Sequence, residues 1–333
     1  MILNLFFKMS MGEFGEAVSS FVGDTEDPGL MSTLKILMLL LVVSSITRAI
    51  FWFAFNRNLS AILTVLGIAV TVFAVFYFLM VELHSPNSSQ HVITMADNAP
   101  SNLDSYRAQG KTAFVVGYTG ETGKELVKEL SRTKIFDKVT LIGRRKVEYD
   151  SDLLKDFNVE QKIVDFKTLE ESADLFQGHD VGYCCLGSYA EGDEGYERVD
   201  RDYILTTANL AKQGGTTHFH LVSVRGASPE RTPLYYRIKG EVEEKMKSMG
   251  FDRLSIYKPG LLMCDREEIR PVQWILQKLF TPVVFFAPYV APCVGPVPTT
   301  TLATALVHVT AAPKQESLEI LEGRDIHRLG NSS

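Results

Sequence analysis

Tyr235 and Lys239 stand four residues apart in the run LYYRIKGEVEEKM, a spacing that sets two side chains one turn apart on one face of a helix. An ammonium beside a phenol favours the phenolate and lowers a pKa that is about 10 in water, so the tyrosine can exchange a proton near neutral pH. The same lysine can bond a nicotinamide ribose and hold the hydride-bearing carbon in place. Tyr236, only three residues from Lys239, lacks that register. Taken alone the pair also describes an ordinary helix surface, and its neighbours in the sequence decide between the two.

The first of these is KTAFVVGYTGETGKELVKEL, residues 111–130, where a short apolar strand runs into Gly117, Gly120 and Gly123 and then into a helix. Glycine serves a dinucleotide site three times over: it turns the chain sharply, admits a pyrophosphate to the main-chain N–H groups, and lets the helix pack close to the strand. The negative ligand then meets the positive end of the helix. A second apolar run, KVTLIGRRK at 138–146, ends in Arg144 and Arg145. An acidic residue at this strand end would bond the 2′-hydroxyl of NAD, whereas guanidinium groups pair with the 2′-phosphate of NADP. The expected cofactor is NADP(H).

The elements that must position these residues follow a strand-then-helix rhythm, the pattern of a parallel sheet covered on both faces. Strands are expected at 159–164, 181–186, 218–223 and 254–258, with helices at 168–176, 195–213 and 232–248. The last helix has Thr232 as its cap and Pro233 at its first position. Asp165 ends the third strand and is expected to face the adenine edge. Leu186 and Gly187 end the fourth, where a small residue lets the cofactor backbone pass.

The strings GYTGETG, VTLIGRRK, FQGHDVGYCCLG, RVDRDY, YYRIKGEVE and KPGLLMCDREEIRP, between about Lys111 and Pro271, resemble the Tat-interacting oxidoreductases, atypical short-chain dehydrogenase/reductases. The resemblance covers about two thirds of the chain and implies a Rossmann domain that binds NADPH. It implies cofactor contacts from Thr119, Gly120, Glu121, Thr122, Arg144, Arg145, Leu186, Gly187, Tyr235 and Lys239, and also from Leu262 and Arg270. It further implies a protein partner such as a nuclear transport receptor. Three departures stand out. Relatives read serine–serine where this chain has Ser223–Val224: if the second serine is the one that polarises a substrate carbonyl, this chain lacks it, and Ser223 is the remaining hydroxyl. Tyr118 occupies a glycine-loop position that is usually small, and Lys258 replaces an arginine.

A net charge of −6 over 333 residues gives no electrostatic case for nucleic-acid binding. Cys184, Cys185, Cys264 and Cys293 show no metal spacing, so free thiols and no metal are expected. The first hundred residues differ in kind. Residues 61–81 are an apolar run without charge, long enough to cross a hydrocarbon core of about 30 Å. Residues 34–55 form a second apolar run, interrupted by Arg48.

The expected fold is α/β: a Rossmann doubly wound parallel sheet with a small C-terminal substrate lobe, preceded by a helical transmembrane hairpin. The boundaries are a membrane region at 1–83 (spans about 34–55 and 60–82), a polar linker at 84–110, and an NADP-binding domain at 111–333 whose lobe starts near 270. Thr299–Ala311 reads as a further helix. NADPH supply and free thiols place the catalytic domain in the cytosol, tethered to the endoplasmic reticulum or nuclear envelope. MADNAPSNLDSYRAQGKTAFVVG also reads as the beginning of a soluble form at Met95. The expected activity is NADPH-dependent reduction of a small or lipophilic carbonyl; the alternative is an NADPH-responsive binding protein with little turnover.

Overall fold

Phe114 and Val116 of the first strand face one way and Ala113 and Val115 the other, and all four are buried. A strand apolar on both faces needs a helical layer on each, and the computed structural model supplies both. It describes residues 90–149, 152, 154–188, 192–263 and 296–332, all of which belong to the compact unit Phe78–Ser333.

In chain order the elements are Gln90–Asp97 (α1), Ala99–Arg107 (α2), Thr112–Val116 (β1), Glu121–Thr133 (α3), Lys138–Gly143 (β2) and Val159–Ile163 (β3). A 3-10 stretch, Phe166–Phe176, leads to Val181–Cys184 (β4). Gly192–Gly195 (α4) then passes through a π-helical stretch, Tyr196–Tyr203, into Ile204–Gln213 (α5). His218–Val222 (β5), Leu234–Ser248 (α6), Arg253–Lys258 (β6) and the short Leu262–Met263 (β7) follow. Val297–Pro298 (β8), Thr299–Ala311 (α7), Leu318–Glu322 (β9) and Gly323–Gly330 (α8) complete the described chain.

The main sheet has the order β3-β2-β1-β4-β5-β6-β9, every neighbouring pair parallel. The order reverses between β1 and β4, and in open α/β sheets ligands bind beyond the carboxyl ends of the strands at such a switch point. One core, under α1, α2, α3, α7 and α8, holds Val92, Leu126, Leu130, Leu306 and Ile326. The other, under the 3-10 stretch, α5 and α6, holds Phe166, Phe176, Ile204, Val242 and Met246.

Three expectations need correction. The segment read as a linker carries α1 and α2 from residue 90 onward, with Val92, Met95, Ala96, Ala99 and Tyr106 buried. A chain beginning at Met95 would lack the first half of α1. The C-terminal part is also no separate lobe from residue 296 onward: β9 extends the main sheet beside β6, and α7 packs on α3 and α2. Glu319 of β9 takes Arg253 in two bonds, at 3.1 and 2.9 Å, accepts Ser255 Oγ–H at 2.6 Å, and lies 3.3 Å from His91 Nε2 of α1. Finally, Pro233 rather than Thr232 caps α6, which starts at Leu234. The expected spans at 34–55 and 60–82 lie outside the described residues, among which no helix is long and apolar enough to cross a membrane.

Candidate active site

Beyond β1 the chain turns at Gly117, whose φ of +79° falls in the left-handed region that side chains resist. A Cβ there would also stand 2.5 Å from the Cys185 carbonyl carbon and 2.8 Å from the Leu186 nitrogen. Only glycine lets the loop after β1 rest on the loop after β4. Gly123 is enclosed in the same way by the Gly117 carbonyl and the Tyr118 backbone. Gly120 caps α3 with no side-chain hydrogen bond, so the first N–H groups of the helix have no side-chain capping partner. A cradle that no Cβ could share, beside an uncapped helix start, fits the pyrophosphate of a dinucleotide.

Around that cradle, Thr119 and Thr122 are half-buried, and Glu121 pairs with Lys124 at 3.2 Å. Arg144 and Arg145 follow β2 and are exposed. Leu186 is half-buried beside the exposed Gly187. Asp165 is also exposed, and its carboxylate accepts the Lys167 N–H at 2.9 Å, capping the 3-10 stretch. Leu262 lies in β7, paired with Val297 of β8. Arg270 is outside the described residues.

Tyr235 and Lys239 lie on α6 as the spacing required. Tyr235 is half-buried, its ring 5.4 Å from that of Tyr196, whereas Tyr236 is exposed. Lys239 is buried, and its Nζ stands 2.8 Å from Asp200 Oδ1. Burial pulls the Lys239 pKa down, but the charges of Asp200 and of an ionised Tyr235 outweigh it, and the net shift is upward. The Asp200 carboxylate thus favours the charged ammonium. Asp200 itself is wholly buried, and its other oxygen accepts the Ser188 amide at 2.9 Å and hydroxyl at 2.5 Å. One carboxylate thus joins the loop after β4 to the lysine.

Tyr196 and Asp200 both come from the π-helical stretch, whose widened turn is a feature found often at functional sites. Sequence reasoning missed Asp200, although a signal was present: Asp200 leads a buried stripe through Ile204, Thr207, Ala208 and Ala211. A carboxylate heading such a stripe requires a cation.

Ser223, at the end of β5, is spoken for. Its Oγ–H donates to Glu243 Oε1 at 2.5 Å, and Lys258 Nζ donates to Oε2 of the same carboxylate at 3.1 Å. Glu243 is one turn beyond Lys239 on α6, so Tyr235, Lys239 and Glu243 form one stripe. While that bond stands, the Ser223 proton is not available to a carbonyl. Cys184 closes β4 as a buried free thiol whose pKa burial pushes up to about 11, and burial also raises Cys185. Neither is a thiolate at neutral pH.

Residues 117–268 match a family model described as NAD(P)H-binding. Protein HTATIP2 of Rattus norvegicus is 44% identical over 234 residues, covering 69% of this chain and 93% of that protein. Protein FMP52-2, mitochondrial, of Scheffersomyces stipitis is 28% identical over 163 residues, covering 48% of this chain and 70% of its own. Among solved structures, MoeE5 in complex with UDP-glucuronic acid and NAD aligns at TM-score 0.47 and 14% identity, over 63% of this chain and 75% of that one. Matched over nearly the whole of its rat relative, with the nicotinamide-dinucleotide cradle in place, the chain belongs to the HTATIP2 family of NAD(P)H-binding Rossmann proteins.

Proposed function

We propose that this domain is an NADPH-dependent reductase of a small or lipophilic carbonyl. The observation that carries the reading is the buried Lys239–Asp200 pair one helical turn from Tyr235, beside the glycine cradle. In this reading the first N–H groups of α3 hold the pyrophosphate, the guanidinium groups of Arg144 and Arg145 hold the 2′-phosphate, and Lys239 bonds the nicotinamide ribose. A reduced nicotinamide bound there supplies hydride to a carbonyl carbon. Tyr235 gives its proton to the carbonyl oxygen, and the Lys239 ammonium stabilises the phenolate left behind. Asp200 keeps that ammonium charged and in place. Ser223 does not polarise the carbonyl, because its proton is committed to Glu243, and the task falls to Tyr235.

That commitment also favours a second reading, an NADPH-responsive binding protein in which the cofactor selects a surface for a protein partner such as a nuclear transport receptor. One experiment separates the two: titrate NADPH, then screen carbonyl compounds with the wild type and Tyr235→Phe. Turnover that Tyr235→Phe abolishes supports the reductase. Tight cofactor binding with no turnover across a broad panel supports the binding protein.

The apolar runs at 34–55 and 60–82 are further proposed to tether the domain to the endoplasmic reticulum or nuclear envelope, facing the cytosol. Full-length protein should then stay with membranes through alkaline carbonate washing. Release into the supernatant would refute the tether.

A further inference from the structure

Tyr118 is the residue of the glycine loop that the dinucleotide pattern does not call for. It is fully buried, and its ring lies over Gly143, the last residue of β2, where a Cβ would come within 2.7 Å of the tyrosine Cε1. From there its hydroxyl donates to the Arg145 carbonyl at 2.6 Å. Burial raises its pKa, so it stays protonated and remains a donor.

The contact is returned from the other side. Beyond the arginines the chain reaches Tyr149, whose hydroxyl donates to the Tyr118 carbonyl at 3.3 Å. Between these two points, Val147 exchanges both its backbone groups with the Gln161 side chain of β3, each at 2.9 Å. The exposed turn that carries Arg144 and Arg145 is thus tied to the sheet edge at one place and to the glycine loop at two.

Long arginines on an untethered turn lose conformational entropy when they close on a phosphate, and fixing their backbone beforehand removes part of that cost. We propose that Tyr118 is a positioning residue for cofactor choice: its hydroxyl latches the arginine turn to the glycine loop and so sets how strongly the protein prefers a 2′-phosphorylated dinucleotide. The inference rests on the assignment of Arg144 and Arg145 to the 2′-phosphate. Simple core filling is the competing account, and phenylalanine would satisfy it equally well.

Tyr118→Phe is therefore the discriminating variant, because it keeps the ring and deletes only the donor. Full-length protein in detergent is titrated calorimetrically with NADPH, NADH, 2′,5′-ADP and 5′-AMP, in the wild type, in Tyr118→Phe and in the Arg144→Ala/Arg145→Ala double variant. Loss of one net hydrogen bond's worth of positioning predicts that Tyr118→Phe weakens NADPH and 2′,5′-ADP about fivefold. NADH and 5′-AMP should be unchanged. Tyr149→Phe, which leaves the buried ring alone, should move the same ratio in the same direction and keeps the test open should Tyr118→Phe fold poorly.

If the double variant loses the preference but both tyrosine variants keep it, the latch is refuted and the arginine assignment survives. A parallel loss for all four ligands also refutes the latch, since general damage to the loop does not distinguish a 2′-phosphate. If the wild type shows no preference for the 2′-phosphorylated ligands, both the latch and the arginine assignment fall.

Discussion

Asp200 and Lys239 hold each other in a place where neither charge could stand alone. The aspartate side chain is 0% exposed and the lysine 4%, and removing one member of a buried pair leaves an uncompensated charge, at a cost of about 3–5 kcal/mol. Asp200→Ala should therefore lower the urea-unfolding free energy by about that much and weaken NADPH binding. Asp200→Asn, which still accepts from Ser188, should lower stability less while still weakening the cofactor. Equal stability of wild type and Asp200→Ala would show that the pair is not formed in solution. For Arg144→Ala with Arg145→Ala, each lost charge-assisted bond should take about 1.5–3 kcal/mol from NADPH affinity and nothing from NADH. Isothermal titration with the two cofactors decides this, and equal weakening would sink the assignment. The tight turn at Gly117 and Gly123 and the placement of Tyr235 and Lys239 on one helix face were legible in sequence because both depend on local spacing. Asp200 was not, because its partner is 39 positions away and only the fold brings them together. Glu243 escaped for the same reason, although it shares a helix face with Lys239.

Among the elements, the strands were readable because each is a short apolar run, and their observed limits fall within a few residues of the expected ones. The pair α1–α2 was not, because its apolar residues sit among serines, asparagines and prolines. Yet Val92, Met95 and Ala96 follow the 3–4 spacing of a buried helical stripe, and they join the core that also lies under α7 and α8. A chain starting at Met95 loses Val92 and the His91–Glu319 contact. Burial of one valine is worth about 1.5–3 kcal/mol. A chain of residues 95–333 should thus be less stable than one of residues 84–333 by about that amount in urea. Coincident unfolding curves would mean that α1 adds nothing. The role of LEILE was equally hidden: its alternating burial reads as a strand, but nothing local says that it pairs with β6.

For the whole molecule, histidine burial sets the response to acid. Burial depresses the pKa of His179, His218, His220, His308 and His327, with His218 and His220 well below the ordinary value of 6.5. In each case the unfolded chain takes up a proton that the native one refuses. Stability is complete above the unfolded value and is lost as pH falls through it toward the depressed folded values. Urea-unfolding free energy should hold level from about pH 8 to 7 and fall between about pH 6.5 and 5. A profile flat to about pH 5 would contradict the burial of these rings. His218 and His220 are the main contributors: they stand in the sheet beside Ser255 and Tyr257, with ring centroids 3.9 Å apart, and a proton on either would be repelled by Arg253.

Glu319 also bears on how the chain is made. It binds Arg253, 66 positions earlier, and meets His91, 228 positions earlier. Ribosomes add about 5–20 residues per second, so Arg253 leaves synthesis about 3–13 s ahead of its carboxylate. Through that interval β6 remains an open edge, and the Arg253 guanidinium lacks its carboxylate partner. Because β9 is made after the strand it pairs with, β6 is the sheet edge open to wrong pairing for as long as Glu319 is still unmade.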